Sequence, residues 1–274
     1  MNFNEKIKKI QRSKHSLLCI GLDADPQKLP KHLRTKENGV LEFNREIIEA
    51  TKDLVCAYKI NFAFYEAMGT AGWGILEKTR AMIPPTILSI ADAKRGDIGN
   101  SSLYYATGIL KTLNFDSITV SPYLGKDSVL PFFQWEDKGG FLLALTSNEG
   151  ANDFQYKKRG TLRLFEEVVR VSRKWSHNKN LGFVVGATRS RDLKSVRRLV
   201  PDSPLLIPGV GAQGGSLQSA IRNGCDNKGE MAIINASRSI IYASPEKNFA
   251  EAARTEALRL RDEMNRNREE IFHL

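Results

Sequence analysis

The stretch TILSIADAKRGDIGNSS, residues 86–102, begins as an apolar run and changes within a few positions to a series of opposite charges. A short apolar run of this composition is typical of a buried strand. Side chains alternate across a strand, so Ile90, Asp92 and Lys94 share one face. The stretch therefore predicts a strand that presents a carboxylate and an ammonium together at its carboxyl end.

Seven further apolar runs of the same kind occur in the sequence. Between the runs lie segments with helical periodicity, such as VLEFNREIIEATKD from Val40, TLRLFEEVVRVSRKW from Thr161 and RSRDLKSVRRLV from Arg189. Alternating strands and helices favour parallel pairing. Eight such units close naturally into a single-domain (β/α)8 TIM barrel over residues 1–274. The eight runs are LLCIGLD from Leu17, LVCAYKINF from Leu54, TILSIAD from Thr86, DSITVSP from Asp116, GFLLALT from Gly140, LGFVVGAT from Leu181, PLLIPGV from Pro204 and MAIINAS from Met231.

A doubly wound open sheet is the alternative architecture. Against it, the first strand is followed by LLCIGLDADP, which has carboxylates where a dinucleotide-binding sheet would have GxGxxG. The stretches before Leu17 and after Pro245 carry helical spacing and predict flanking helices at the two ends of the barrel. The length of 274 residues is within the range of one α/β barrel domain.

The net charge of +10 raises the question of a polyanionic partner. The basic residues are scattered at helical spacing among acidic and apolar neighbours, which favours solvated helix faces over a nucleic-acid site and leaves open attraction of a small phosphorylated anion. No run of about 18 apolar residues predicts a membrane span, and the N-terminus lacks the apolar core of a signal peptide. We therefore expect a cytoplasmic protein with no nucleic-acid or membrane partner, whose three cysteines are reduced and buried.

Charged residues end the first three predicted strands. Asp23 ends the first, Lys59 lies near the end of the second, and Asp97 follows Gly96 in the loop after the third. Strand ends of this kind meet at the face where barrels of this class carry their active sites. A salt-bridge network that merely plugs the barrel is the structural alternative, but buried ion pairs contribute little net stability, so a functional cluster is favoured.

A second candidate site follows the seventh and eighth strands. IPGVGAQGGS from Ile207 offers backbone N–H groups, and NASR places Arg238 in the next loop, which together favour a phosphate site. The four histidines lie away from every strand end, so a histidine base or a His-rich metal site is not expected. The sequence contains no P-loop, HExxH or GxSxG motif.

DAKRGDIGNSS from Asp92 resembles the Asp-x-Lys-x-x-Asp signature of the orotidine 5′-phosphate decarboxylase family, and its flanks resemble the longer bacterial (type 2) subgroup. The resemblance extends over residues 17–243. It implies a homodimeric (β/α)8 barrel that removes CO2 from orotidine 5′-monophosphate to give UMP, the last step of de novo pyrimidine nucleotide synthesis, without a metal or organic cofactor. The supporting segments are CIGLDAD from Cys19, KINFAFYE from Lys59, SPYLGKDSVLPF from Ser121, LTSNEGANDFQ from Leu145, PGVGAQGG from Pro208 and NASRSI from Asn235.

The resemblance also implies roles for individual residues. Lys94 should donate a proton to C6 of the pyrimidine, Asp92 should lie against the departing carboxylate, and Lys59 should complete the alternating charges. Asp97 should reach into the partner subunit's site. The implied substrate contacts are Ile98 and Ser101 beside Asp97, Asp23 at the ribose hydroxyls, Ser147 at the pyrimidine edge with Thr146 and Asn148 as alternatives, and Pro208, Gln213 and Arg238 around the phosphate.

Two other functions are compatible with the motif. Metal-dependent sugar-phosphate decarboxylases and aldolases of the same superfamily share it, but they have an acidic metal ligand on the second strand where this chain has Lys59. A non-catalytic nucleotide-phosphate binder is the other alternative. The complete set of Lys59, Asp92, Lys94 and Asp97 favours an enzyme.

Overall fold

Parallel strands close into an eight-stranded barrel in the computed structural model, which describes residues 1–176, 179–187, 190–209 and 216–274. Around the barrel the order is β1, β10, β9, β8, β5, β4, β3, β2, and β6 and β7 form a separate antiparallel hairpin. The strands are β1 (Leu18–Gly21), β2 (Ala57–Asn61), β3 (Leu88–Arg95), β4 (Ser117–Val120), β5 (Gly139–Leu145), β6 (Lys158–Arg159), β7 (Leu162–Arg163), β8 (Leu181–Val185), β9 (Leu205–Pro208) and β10 (Ala232–Ala236).

Helices connect the strands and cover the barrel. Short 3-10 turns occupy Pro26–Lys28 and Leu130–Phe133, and a π-helical turn occupies Gly108–Thr112. The α-helices are α1 (Phe3–Lys14), α2 (Lys31–Arg34), α3 (Gly39–Thr51), α4 (Phe62–Glu66), α5 (Gly69–Met82), α6 (Gly99–Thr107), α7 (Lys126–Val129), α8 (Ala151–Phe154), α9 (Leu164–Ser172), α10 (Ser190–Leu199), α11 (Leu217–Gly224), α12 (Arg238–Ile241) and α13 (Phe249–Phe272).

The predicted (β/α)8 barrel is confirmed. Each of the eight apolar runs overlaps one barrel strand, with β3 extending past its run to Arg95 and β5 beginning one residue before its run at Gly139. The predicted flanking helices are α1 and α13. The three cysteines are buried and unpaired, as expected. None of the helices in the described ranges is long and apolar enough to span a membrane.

One predicted helix begins in the wrong place. The periodicity predicts helix from Thr161, but Leu162 and Arg163 lie in the hairpin, and α9 begins at Leu164. The reason is the side chain of Arg163, which pairs with Glu166 in the first turn of α9 and with Asp192 on α10. These contacts hold the backbone of Arg163 extended at the N-cap position of the helix.

Helix α1 closes the amino-terminal end of the barrel. Its buried side chains Phe3, Ile7 and Ile10 pack against the apolar residues that fill the barrel interior. Phe3 requires Gly139 at the start of β5, because a Cβ there would lie 2.2 Å from the phenyl ring. Gln11 anchors the far end of the helix, since its side chain donates to Ala232 O and accepts from Met231 N. The barrel is therefore sealed at this end and can admit a ligand from the carboxyl ends of its strands.

We expect Phe3→Ala to lower the free energy of unfolding by about 3 kcal/mol, because a fully buried phenyl ring is replaced by a cavity. Leu258→Ala on the exposed side of α13 is the matched control and should change it by less than about 1 kcal/mol. Urea titration followed by circular dichroism measures both values. Equal losses for the two variants would contradict the assigned role of α1.

Candidate active site

A chain of alternating charges crosses the carboxyl end of the barrel. Lys59, on β2, is only 5% exposed, and its Nζ lies 2.9 Å from Asp92 Oδ2 and 3.4 Å from Asp23 Oδ1. Burial alone would lower the pKa of the Lys59 ammonium, but the carboxylates of Asp23 and Asp92 outweigh burial and raise it above its ordinary value. Lys59 is therefore a fixed cation at working pH.

Asp92 stands between two ammonium groups. Its Oδ2 accepts from Lys59, and its Oδ1 accepts from Lys94 Nζ at 2.6 Å and from the Thr119 hydroxyl at 3.0 Å. Burial alone would raise the pKa of Asp92, yet Lys59 and then Lys94 lower it below the usual range of an aspartate. The carboxylate is ionised and held by donors on both oxygens.

Lys94 reaches Asp92 from an irregular backbone. The pairing of β3 with β4 shifts register between Ala91 and Arg95, and Lys94 has a φ of 49°, in the left-handed region. The predicted contact between Asp92 and Lys94 is present, but simple strand alternation is not what produces it. The Lys94 side chain is 50% exposed, in contrast to the buried Lys59, so its ammonium is accessible from the mouth of the barrel.

A cavity of about 190 Å³ extends from the charged chain toward the ends of β9 and β10. Of the predicted substrate contacts, Asp23, Pro208 and Arg238 line it, together with Lys59 and Asp92. Part of the charged strand ends and part of the phosphate end, inferred separately from the sequence, thus line one cavity, although Lys94 is not among its described lining residues. The other lining residues are Asn61, Gly209, Asn235, Ala236, Ser237 and Ser239.

The end of β10 is fitted closely against β1. A Cβ on Gly21 would lie 1.9 Å from Ser237 Oγ, so glycine is required for this approach. Ser237 Oγ accepts from Asn235 Nδ2 at 3.3 Å, and Asn235 Oδ1 accepts from the buried Cys19 thiol at 3.4 Å. These contacts fix two polar side chains of the cavity wall.

Asp97, Ile98 and Ser101 lie apart from this cavity. Asp97 Oδ1 accepts from Ile98 N, and within the described part of the chain its carboxylate forms no ion pair with Lys94. Asp97 and Ser101 instead line an outward-facing depression of about 420 Å³ with Tyr104 and Tyr105. The structure therefore does not bring Asp97 to the charged chain of its own subunit.

The loop after β5 carries the proposed pyrimidine contact. Gln155 holds this loop, since its Oε1 accepts from Thr146 N at 2.8 Å and its Nε2 donates to the Thr146 hydroxyl at 2.9 Å. The Thr146 hydroxyl donates in turn to Asn148 Oδ1. Ser147, half-buried between them, lies close to Gly186 at the end of β8. Gln213, the remaining predicted phosphate contact, lies outside the described residues.

Sequence reasoning missed several polar residues of the site. Asn61 lies on the same strand face as Lys59, and Asn235 and Ser237 are polar residues at the apolar end of β10. Each of these positions could therefore have been identified from the sequence pattern. Thr119 could not have been identified in this way, because one threonine in the strand SITV is typical of any β-strand. In the ranges that the structure describes, no group of three His, Cys, Asp or Glu side chains is placed to hold a metal ion.

Comparison with known proteins gives one consistent family. Residues 16–253 match the family described as "Orotidine 5'-phosphate decarboxylase / HUMPS family". A Dehalococcoides mccartyi protein named orotidine 5′-phosphate decarboxylase is 50% identical over 98% of this chain and 99% of its own length. A Flavobacterium johnsoniae protein of the same name is 50% identical over 92% of this chain and 93% of its own length.

Solved structures agree with this family. Leishmania donovani OMP decarboxylase has a TM-score of 0.85 and 35% identity, and the match covers 98% of this chain and 99% of that chain. Leishmania donovani UMP synthase has a TM-score of 0.87 and 37% identity over 98% of this chain. This chain spans only 57% of the UMP synthase chain.

We expect Asp92→Asn to lower the free energy of unfolding by about 3 kcal/mol near neutral pH, because Lys59 loses a charged partner in a buried site. Since folding lowers the pKa of Asp92, its stabilising effect is present above the unfolded value of about 4 and is lost as pH falls below it. The difference between wild type and variant should therefore be constant from about pH 6 to 9 and shrink below about pH 4.

Urea titrations at a series of pH values measure this difference. Glu149→Gln, in the exposed loop after β5, is the matched control for the loss of one negative charge. If the difference in free energy of unfolding between wild type and Asp92→Asn stayed unchanged down to about pH 3, Asp92 would not be an ionised carboxylate stabilised by two ammonium groups.

Proposed function

The chain belongs to the orotidine 5′-phosphate decarboxylase / HUMPS family, and we propose that it catalyses the decarboxylation of orotidine 5′-monophosphate to UMP, the last step of de novo pyrimidine nucleotide synthesis. The observation that carries this proposal is the buried Lys59 between Asp23 and Asp92. A fixed cation there would repel a divalent metal. The position is therefore unsuited to the metal-dependent sugar-phosphate chemistry that shares the motif.

The proposed substrate orientation follows the cavity. Arg238 lines one end and is suited to a phosphate dianion, and Pro208 lines the same cavity. Gln213, which follows Pro208 by five positions in the sequence, is our third candidate for the phosphate. Asp23 would accept from ribose hydroxyls, and the pyrimidine would lie over Asp92 and Lys94. Ser147 is our candidate for the pyrimidine edge, with Thr146 and Asn148 as alternatives in the same loop after β5.

The proposed reaction is a direct electrostatic decarboxylation. The bond between C6 and the carboxylate carbon breaks, CO2 departs, and the electron pair stays on C6. The Lys94 ammonium stabilises that charge as it develops and then transfers a proton to C6, after which the amine regains a proton from solvent. Asp92 keeps the ammonium in place before the reaction, and no cofactor takes part.

A homodimer is part of the proposal, with Asp97 acting in the partner subunit's site. Support comes from its position, because Asp97 and Ser101 face outward on a surface with exposed apolar side chains. Ile98 is 64% exposed and Tyr104 is 78% exposed, and Leu103 and Tyr105 nearby are exposed as well. A run of exposed apolar groups is typical of a surface that another chain covers. Ile98 and Ser101 would then contact substrate across the interface. We place this dimer in the cytoplasm, consistent with its unpaired cysteines.

We expect Lys94→Ala to lower kcat at least about a thousandfold while leaving the fold intact, because the charge that stabilises the carbanion and supplies the proton is lost. Loss of the orotidine absorbance measures turnover, and circular dichroism measures folding. Lys228→Ala, exposed just before β10 at the opposite end of the barrel, is the control and should retain full activity.

The proposal fails if the purified wild-type chain does not turn over orotidine 5′-monophosphate. Loss of activity on adding a chelator, with recovery on adding a divalent metal, would favour the metal-dependent alternative. Near-normal turnover by Lys94→Ala would overturn the role of Lys94 alone.

We expect Lys94→Ala and Asp97→Ala to be inactive separately and to recover about one quarter of wild-type activity when mixed under conditions that exchange subunits. Half of the dimers are then mixed, and each mixed dimer has one site with both residues intact. Size-exclusion chromatography with light scattering checks the assembly. An inactive mixture that does contain mixed dimers would show that Lys94 and Asp97 act from the same subunit.

A further inference from the structure

Thr119, on β4, contacts the two charged residues that carry the proposed chemistry. It is 1% exposed, its hydroxyl accepts from Lys94 N at 3.0 Å, and it donates to Asp92 Oδ1 at 3.0 Å. We propose that Thr119 is a positioning residue for the decarboxylation, and that its hydroxyl sets both the backbone of Lys94 and the orientation of the Asp92 carboxylate. The proposal deepens the proposed function and rests on it for its kinetic consequences.

The first argument is the interrupted pairing of β3 with β4. Ala91 lies opposite Ile118, and Arg95 lies opposite Val120, so the three residues 92–94 face Thr119 alone. Regular pairing is lost at this point, and the Lys94 N–H bonds the Thr119 side chain instead of a main-chain carbonyl. The hydroxyl therefore satisfies a main-chain donor that the irregular strand would leave without a ladder partner.

The second argument is the conformation of Lys94. Its φ of 49° is sterically unfavourable for a residue with a Cβ, and such conformations persist where the surroundings hold them in place. Lys94 is held by a hydrogen bond from its main-chain N–H to the Thr119 hydroxyl and by one from its ammonium to Asp92 Oδ1. Since half of the side chain is exposed, packing contributes little to its orientation.

The third argument is the direction of the two hydrogen bonds. The ionised Asp92 can only accept, and the Lys94 N–H can only donate. A hydroxyl does both at once, giving its single proton to the carboxylate and a lone pair to the amide. Valine has nearly the shape of threonine but can do neither, whereas serine retains both functions.

The arrangement also defines the plane of the Asp92 carboxylate. Oδ1 accepts hydrogen bonds from the Thr119 hydroxyl and the Lys94 ammonium, while Oδ2 accepts one from the Lys59 ammonium. Without the hydroxyl, Oδ1 loses one of its two donors, so the carboxylate is held less firmly, and the position of Lys94 Nζ relative to C6 varies with it. Thr119 lies behind Asp92 and is not among the described residues that line the cavity. Its loss should therefore affect the chemical step more than substrate binding.

We expect Thr119→Val to lower kcat about 10- to 100-fold and to change KM by less than about threefold, because a misplaced proton donor slows the reaction without removing a substrate contact. Thr119→Ser should retain kcat within about threefold of wild type. A kcat for Thr119→Val equal to wild type, or a loss confined to KM, would overturn the proposal.

Ser117→Ala is the matched control. Ser117 is also buried on β4, two residues earlier, and its hydroxyl donates to Ser89 O at 3.4 Å without touching the charged chain. If Thr119 were merely structural, both variants would lose stability and keep wild-type kcat per folded molecule. That outcome contradicts the proposal, whereas a kcat loss confined to Thr119→Val supports it.

Amide hydrogen exchange at Lys94, measured by NMR, tests the geometry without any assay of activity. The Lys94 amide should be protected in wild type and in Thr119→Ser and should exchange at least about tenfold faster in Thr119→Val. Rapid exchange in wild type overturns the proposal even if Thr119→Val does not fold. If wild type shows protection but does not decarboxylate orotidine 5′-monophosphate, the proposed function fails while the hydrogen bond stands.

Discussion

The sharing of the Asp92 carboxylate between two ammonium groups is the interaction on which the site depends. Placing charges out of water is unfavourable, and the arrangement is stable only because Lys59 and Lys94 approach opposite oxygens of the same carboxylate. Their positions come from neighbouring strands, β2 and β3, whose separation the barrel fixes. A site built on loops would not hold three charges at such distances.

The two cations of this chain differ in their surroundings, and the difference suits different tasks. Lys59 is buried and paired with two carboxylates, which keep it a permanent charge. Lys94 is half-exposed and paired with one carboxylate, which leaves its ammonium able to approach a ligand and to exchange protons with solvent. Burial therefore separates a fixed cation from an accessible one of the same residue type.

The barrel and the charged cluster could be predicted from the sequence because both depend on local patterns. Short apolar runs indicate strands, and parallel strands bring their carboxyl ends together, so Asp23, Lys59 and Asp92 were expected to meet. The register shift in β3 and the left-handed Lys94 could not be predicted, since they depend on contact with Thr119 across the sheet. The hairpin before α9 was missed for the same kind of reason, because it involves an ion pair of Arg163 with Asp192, which is distant in the sequence.

Helix α1 sets the order in which the fold can be completed. It precedes every barrel strand in the sequence, yet its partners follow much later. Phe3 N donates to Glu136 O, Gln11 Nε2 donates to Ala232 O on β10, and Arg12 pairs with Glu230. Glu136 lies near the middle of the chain, and Glu230 and Ala232 lie at or just before the last barrel strand. On a ribosome, α1 therefore emerges long before its docking site exists, and its apolar face must wait for the last barrel strand. Packing of α1 against the amino-terminal end of the barrel therefore requires nearly the whole barrel sequence, through β10, to be present.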